Sequence, residues 1–350
     1  MTEMDLERLT DEILLKIGFG DVYRWHMPDE DPFEICGLCR IADGCYRRMP
    51  LEVAGAVSER VDRLNENTAG GRVRFATDAR KIAIVMHNNA EGFLVNLCDM
   101  GESGLDIYAD GRHTGTYYAP EEYGVREYPL LAGMKQITID LPLYNGIDRL
   151  FIGIPHGAAI ARPKPYINTK PVVYYGSSIT QGGCASRAGM SYEQILSRRL
   201  NIDYINLGFS GGAKGETRMA EYIAGLDMRS FVMDYDYNAP SEEHLAATHE
   251  KFFKIIRKAN PDLPIIIMSL PNTDMVDRLE DGPRRAAIIE TTYRNALAAG
   301  DRRVWFIPGR ELFGIKDRTD CTVDGCHPTD MGFIRMANRI EPVLKEMLEV

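Results

Sequence analysis

A chain of 350 residues is too long for one ordinary core and suits two, since single domains usually hold roughly 100–200 residues. Its 45% hydrophobic and 26% charged residues are ordinary for a globular protein, and no apolar run approaches the roughly 18 residues that span a bilayer, which argues against a membrane protein. A formal charge of −10 without a dense basic stripe argues against nucleic acid as the partner and favours small neutral or cationic substrates.

Met1 to Lys16 mixes Glu, Asp, Arg and Leu at helical spacing and lacks the basic start, apolar stretch and small-residue cleavage site of a secretory signal. Seven cysteines, an odd number in a chain long enough to fold without staples, do not read as a disulfide framework. A reducing, cytoplasmic location is the simplest expectation. Cys36-Gly-Leu-Cys39 with Cys45 has the look of half a zinc site, but no second Cys-x-x-Cys or His-x-x-x-His completes four ligands. Buried or surface thiols are expected there, with no metal and no organic cofactor.

The first forty residues read as a helix and then loop. From Val73 to Ile154 the chain runs in short alternating segments, among them Lys81–His87, Phe93–Leu97 and Gln136–Leu141, the pattern of strands with one buried face. Asp110-Gly111 after Leu105–Tyr108 signals a hairpin with a primed turn, and an antiparallel β-sandwich is the natural closure. After Pro163 and Pro165 the grammar changes to strand, loop, helix, repeated, which encodes a three-layer, doubly wound parallel sheet. Strands are expected at Val172–Tyr175, Tyr204–Leu207, Phe231–Asp234, Ile265–Met268 and Val304–Ile307, with helices at Ser191–Leu200, Ser241–Ala259, Arg284–Ala299 and Thr329–Leu348. The expected division is a helix, loop and sandwich unit over 1–165 and an α/β unit over 166–350.

In a doubly wound sheet ligands bind beyond the carboxyl ends of the strands. Four such positions stand out: Gly176-Ser-Ser-Ile-Thr180, Asn206-Leu-Gly-Phe-Ser-Gly-Gly212, Asp236-Tyr-Asn238, and Asp324-Gly-Cys-His-Pro328 before the last helix. Taken singly they are a capped turn, a flexible loop, a turn residue and a helix entry. Together, in this order, they resemble the four blocks of the SGNH (GDSL-type) hydrolases: Gly-Asp-Ser-Ile-Thr, a second-block Gly, Gly-x-Asn-Asp and Asp-x-x-His. Gly104-Leu-Asp-Ile-Tyr108 resembles the Gly-x-Asp-Leu-Tyr mark of a subgroup that places a β-sandwich before a flavodoxin-like hydrolase domain.

The resemblance puts the nucleophile at Ser178, the oxyanion donors at Ser178, Gly211 and Asn238, and the acid and base at Asp324 and His327. The chemistry wants those residue types. A serine hydroxyl needs an imidazole to take its proton, a carboxylate must hold that imidazole in the right tautomer, and the developing oxyanion needs preorganised N–H donors. Ser177 replaces the family's Asp, and Asp236 and Ala239 replace the Gly and Asp around Asn238. The implied activity is hydrolysis of a small-molecule ester through an acyl-enzyme, on short acyl groups such as those of acetylated carbohydrates. An acyltransferase using the same triad and a non-catalytic carbohydrate-binding protein are the alternatives; the oligomeric state is not legible. His244 and His249, on a helix with polar neighbours, are expected to be solvated. His26, His87, His113 and His156 have no companion motif. Arg187, Lys214 and Glu216 lie in loops beside the site and are candidates for touching substrate or for solvent-facing charge.

Overall fold

The computed structural model describes residues 12–40, 46–88, 94–118, 124–272 and 280–349. The strands of the first half are antiparallel and lie in two main sheets. One orders Tyr23–His26, Ile147–Pro155, Lys81–Asn88 and Arg126–Pro129; the other orders Ile160–Ala161, Arg72–Thr77, Lys135–Asp140, Leu105–Ala109 and Arg112–Tyr117, with Glu34–Cys36 also paired to Arg72–Thr77. Alternate residues of both sheets, including Val73, Phe75, Ile82, Ile84, Ile137 and Ile152, form one apolar core. The Asp110-Gly111 turn has φ of 48° and 74°, both positive as a type I′ turn requires, and it joins Leu105–Ala109 to Arg112–Tyr117.

Phe93–Leu97 does not form the expected strand. Phe93 lies outside the described residues, while 94–97 make a turn closed by Leu97 N–H to Leu94 O at 3.0 Å. Leu97 is buried against the second half's core, so its apolar character serves a contact between the halves.

The second half contains a five-stranded parallel sheet in the order Tyr204–Gly208, Val172–Gly176, Ser230–Asp234, Ile265–Met268, Val304–Ile307. Val172 and Tyr174 face one apolar layer with the helices Tyr192–Leu200 and Asp330–Leu348, whereas Val173 and Tyr175 face another with Thr217–Ala224, Glu242–Ala259 and Gly282–Ala298. Burial on both faces is why these strands read as continuous apolar runs, each large aliphatic or aromatic side chain contributing roughly 1.5–3 kcal/mol. Ser241 and Thr329 cap their helices, accepting from His244 N and Gly332 N. The short helices Leu51–Val57 and Glu59–Leu64 pack Ala54, Val61 and Leu64 into the second of these layers.

The Gly-x-Asp-Leu-Tyr-like segment is a clasp between the halves. Asp106 is fully buried and accepts from Arg187 Nη1, from Gly189 N at 2.9 Å and from Thr116 Oγ1 at 2.6 Å. Tyr108 Oη accepts from Arg187 at 2.7 Å, and a Cβ on Gly104 would stand 2.6 Å from Met100 O. No helix of the described residues is long and apolar enough to cross a membrane.

Candidate active site

The strand Val172–Gly176 turns directly into a four-residue helix, Ser178–Gln181. Ser177 is its N-cap, with extended backbone and Oγ accepting from Ile179 N at 3.1 Å. This sets Ser178 at the first helical position, where N–H groups have no intrahelical partner. Ser178 Oγ lies 2.9 Å from His327 Nε2, and His327 Nδ1 lies 2.8 Å from Asp324 Oδ2. Asp324 Oδ1 accepts from Cys326 N at 3.0 Å and from His327 N at 2.8 Å, which is how a carboxylate three residues upstream folds back onto its histidine. Burial works to raise the Asp324 pKa, but the His327 N–H groups and the Asn96 amide outweigh it and hold it at about 2. An anionic Asp324 can only accept, so Nδ1 carries the proton and Nε2 offers its lone pair to the Ser178 hydroxyl.

Gly211 adopts a left-handed φ of 67°, and its N–H donates to Asn238 Oδ1 at 3.2 Å. Asn238 Nδ2 donates one hydrogen to Phe209 O at 2.8 Å, and an amide nitrogen has a second to give. Gln181, fully buried at the end of the Ser178 helix, accepts from Ser210 N at 3.0 Å and so joins that helix to the Gly211 loop. The fold thus links Ser178, His327 and Asp324 by direct hydrogen bonds, and Gly211 to Asn238 by another.

The profile described as the GDSL-like Lipase/Acylhydrolase family matches residues 169–345, and that described as the N-terminus of Esterase_SGNH_hydro-type proteins matches 23–160. The chain belongs to the GDSL-like lipase/acylhydrolase family. No protein of curated function matches it in sequence. A GDSL-like lipase candidate from Bacteroides ovatus ATCC 8483 superposes with a TM-score of 0.83 at 28% identity, over 93% of this chain and 98% of that one. The salicylyl-acyltransferase SsfX3 of a tetracycline biosynthetic pathway gives 0.75 at 19% identity, over 93% and 97%. The acetyl xylan esterase Est2A of the rumen bacterium Butyrivibrio proteoclasticus gives 0.59 at 15%, over 94% and 99%; these last two likenesses show the shared fold.

The departures from the family pattern have structural reasons. Ser177 supplies the cap that an Asp also could. Asp236, buried, holds its segment by accepting from Arg285 Nε at 2.9 Å and Leu270 N at 3.1 Å, so Asn238 sits on an anchored turn. Tyr237 Oη donates to Asn272, and Asn272 Nδ2 donates to Gly325 O, which ties that turn to the Asp324–His327 loop. Asn96, Gln181 and Asn272 escaped sequence reasoning because each acts through a partner distant in the chain.

Several other expectations change. His249 is buried, not solvated: it lies 1% exposed between two helices with Nδ1 2.8 Å from Thr292 Oγ1, and burial pushes its pKa down to about 3. His244 is half-buried with Nε2 2.7 Å from Lys214 O. Arg187 is committed to Asp106, and Glu216 accepts from Tyr175 Oη at 2.9 Å and Lys214 N at 3.0 Å. Cys36 and Cys39 are free thiols whose pKa burial raises, and Cys45 lies outside the described residues.

Among the described residues the side chains close enough to hold a metal are instead Cys184, Asp324 and His327, with ligand atoms within 4.8 Å of one another. Burial, with Asp324 adding to it, pushes the Cys184 thiol up to about 12, which opposes the thiolate a metal requires. A roomier cavity of about 880 Å³, lined by Arg257, Asp262 and Arg303, lies at the amino ends of the parallel strands, away from these groups.

Proposed function

We propose that the protein is a serine-dependent carboxylic ester hydrolase. Ser178 attacks the ester carbonyl, His327 takes its proton and delivers it to the leaving alcohol, and Asp324 holds the imidazole and balances the cation. The oxyanion is received by the Ser178 N–H and the second hydrogen of the Asn238 amide, and by the Gly211 N–H once it turns from Asn238 Oδ1. Water activated by the same imidazole then releases the acid. The observation that carries this is the unbroken pair of hydrogen bonds Ser178–His327–Asp324, 2.9 and 2.8 Å, beyond the carboxyl edge of a parallel sheet.

The loop after Ser178, Gln181-Gly-Gly-Cys-Ala-Ser-Arg187, offers no long apolar stretch to line an acyl tunnel and favours short acyl groups. Fold likeness to an acetyl xylan esterase supports acetylated carbohydrates as a substrate class, by analogy. Likeness to a salicylyl-acyltransferase keeps acyl transfer to an alcohol as the second reading, since water exclusion and not the triad separates the two. A fluorophosphonate probe should label wild type and not Ser178→Ala, and acetyl esters should turn over faster than octanoyl esters. A wild-type protein that neither labels nor hydrolyses any ester refutes the reading.

A further inference from the structure

A cleft of about 170 Å³ opens between the helix Glu59–Leu64, Ser210 of the Gly211 loop, and Tyr144 and Asn145 of the first half. Tyr144 forms a wall shared with the nucleophile, its hydroxyl donating to Ser178 O at 3.2 Å. Arg60 donates Nε–H to Ser210 O at 2.9 Å, and its Nη2 comes within 3.9 Å of where a side chain on Gly211 would begin. Arg63 also lines the cleft. Both arginines are exposed, and among the described residues neither has an ion-pair partner.

A third cation lies behind them. Arg48 is 3% exposed, donates to Gly208 O and Leu64 O, and lies 4.2 Å from the Phe209 ring centre. Its Nε finds no partner, and no carboxylate answers its charge among the described residues. Burial pulls its pKa down to about 9, which still leaves it a cation at neutral pH.

Two carboxylates, Glu66 and Glu102, share the cleft's lining with the arginines. Glu66 pairs with Arg47 at 3.4 Å, and Glu102 is 4% exposed, its pKa raised by burial. Elsewhere the protein pairs its buried or half-buried arginines with aspartates, as in Arg72–Asp203, Arg187–Asp106, Arg257–Asp301 and Arg285–Asp236. Arg48, desolvated without a carboxylate partner, adds positive field behind the cleft, and a ligand that brings negative charge to Arg60 and Arg63 would also answer it.

We propose that this cleft is an anion subsite and that the preferred esters carry a carboxylate, held by Arg60 and Arg63. The inference rests on the esterase reading and refines it. Net charge had favoured neutral or cationic substrates, but charges beyond about 10 Å are screened, and the field in the crevice follows its nearest cations. Guanidinium groups suit carboxylates in particular, through paired N–H donors in a fixed fork.

The test compares kcat/KM, corrected for uncatalysed hydrolysis, on four esters. These are 4-nitrophenyl acetate, mono-4-nitrophenyl succinate with the charge on the acyl side, 4-acetoxybenzoate with it on the alcohol side, and acetylthiocholine as the cation. One of the two acids should exceed the neutral ester by on the order of tenfold, and which one locates the subsite. The advantage should shrink with added salt. Arg63→Glu should abolish it and Arg63→Lys retain most of it, both folded by circular dichroism. Equal rates on the neutral ester and both acids, a preference for acetylthiocholine, or an acid preference untouched by Arg63→Glu would overturn the subsite while leaving the esterase reading intact. If no ester is hydrolysed and the fluorophosphonate fails to label, the esterase reading falls and the subsite with it.

Discussion

Asn96 reaches from the sandwich side of the chain to Asp324, its Nδ2 donating to Oδ2 at 3.1 Å, the same oxygen that faces His327 Nδ1. The acid of the proposed triad is therefore steadied by a residue more than two hundred positions away. Asn96→Ala should lower kcat by roughly three- to tenfold with little change in KM, the scale of one hydrogen bond to a charged acceptor at a half-open site. Steady-state kinetics on a short-acyl nitrophenyl ester measures this. An unchanged kcat would mean that the contact is incidental.

The adjacent serines have opposite assignments. Ser177 Oγ is engaged by Ile179 N, whereas Ser178 Oγ faces the imidazole. Ser178→Ala should cost on the order of 10⁴–10⁶ in kcat. Ser177→Ala should retain activity and lose about 1 kcal/mol of stability, the usual worth of an N-cap, read as a lower denaturant midpoint. The reverse pattern, a dead Ser177 variant and an active Ser178 one, would falsify the nucleophile assignment.

Elements whose cause is local were legible from sequence. The parallel strands are apolar on both faces, Ser241 and Thr329 are cap residues, and Asp110-Gly111 tolerates positive φ, so neighbouring residues suffice to place them. The hydrogen-bonded set Ser178, His327 and Asp324, the proposed triad, could be picked out because a nucleophile, an acid and a base would need particular residue types at the ends of particular elements. Asn96 and Asn272 carry no such constraint, since any donor at the right point of a folded loop would serve. Leu94–Leu97 misled because alternation reports one buried side chain in two without saying what buries it; Leu97 is covered by the other half of the chain. His249 misled for a related reason, its polar neighbours along the helix concealing that its own face meets the helix Gly282–Ala298.

Chelation should leave activity unchanged. Asp324 already accepts four hydrogen bonds from protein N–H groups, and the Cys184 thiol is held protonated, so the groups around Ser178 suit the proposed proton relay better than a metal. Dialysis against EDTA followed by an assay is sufficient. Loss of activity that zinc restores would convert Cys184, Asp324 and His327 into metal ligands and sink the acyl-enzyme mechanism.

Asp234 should make the protein less stable as the solution turns alkaline. It ends the strand Ser230–Asp234 at 6% exposure, accepting from Thr180 Oγ1 at 3.2 Å, and burial pushes its carboxyl up to about 8. A folded-state pKa raised above the unfolded value favours the fold fully below about pH 4, and that stability is lost as pH rises through about 8. Asp324 works in the opposite sense: depressed to about 2, it stabilises above about pH 4 and loses that contribution as pH falls through its folded value. Asp140, raised by burial to about 6, adds to the alkaline trend and is common to wild type and variant. Asp234→Asn keeps an oxygen for Thr180 and removes the titration, so its Tm should fall less than that of wild type between about pH 5 and 8, and the gap between the two curves should widen steadily across that range. Calorimetry at several pH values measures the gap. Parallel curves would show that Asp234 keeps an ordinary pKa despite its burial, with its charge satisfied by Thr180 and Tyr192.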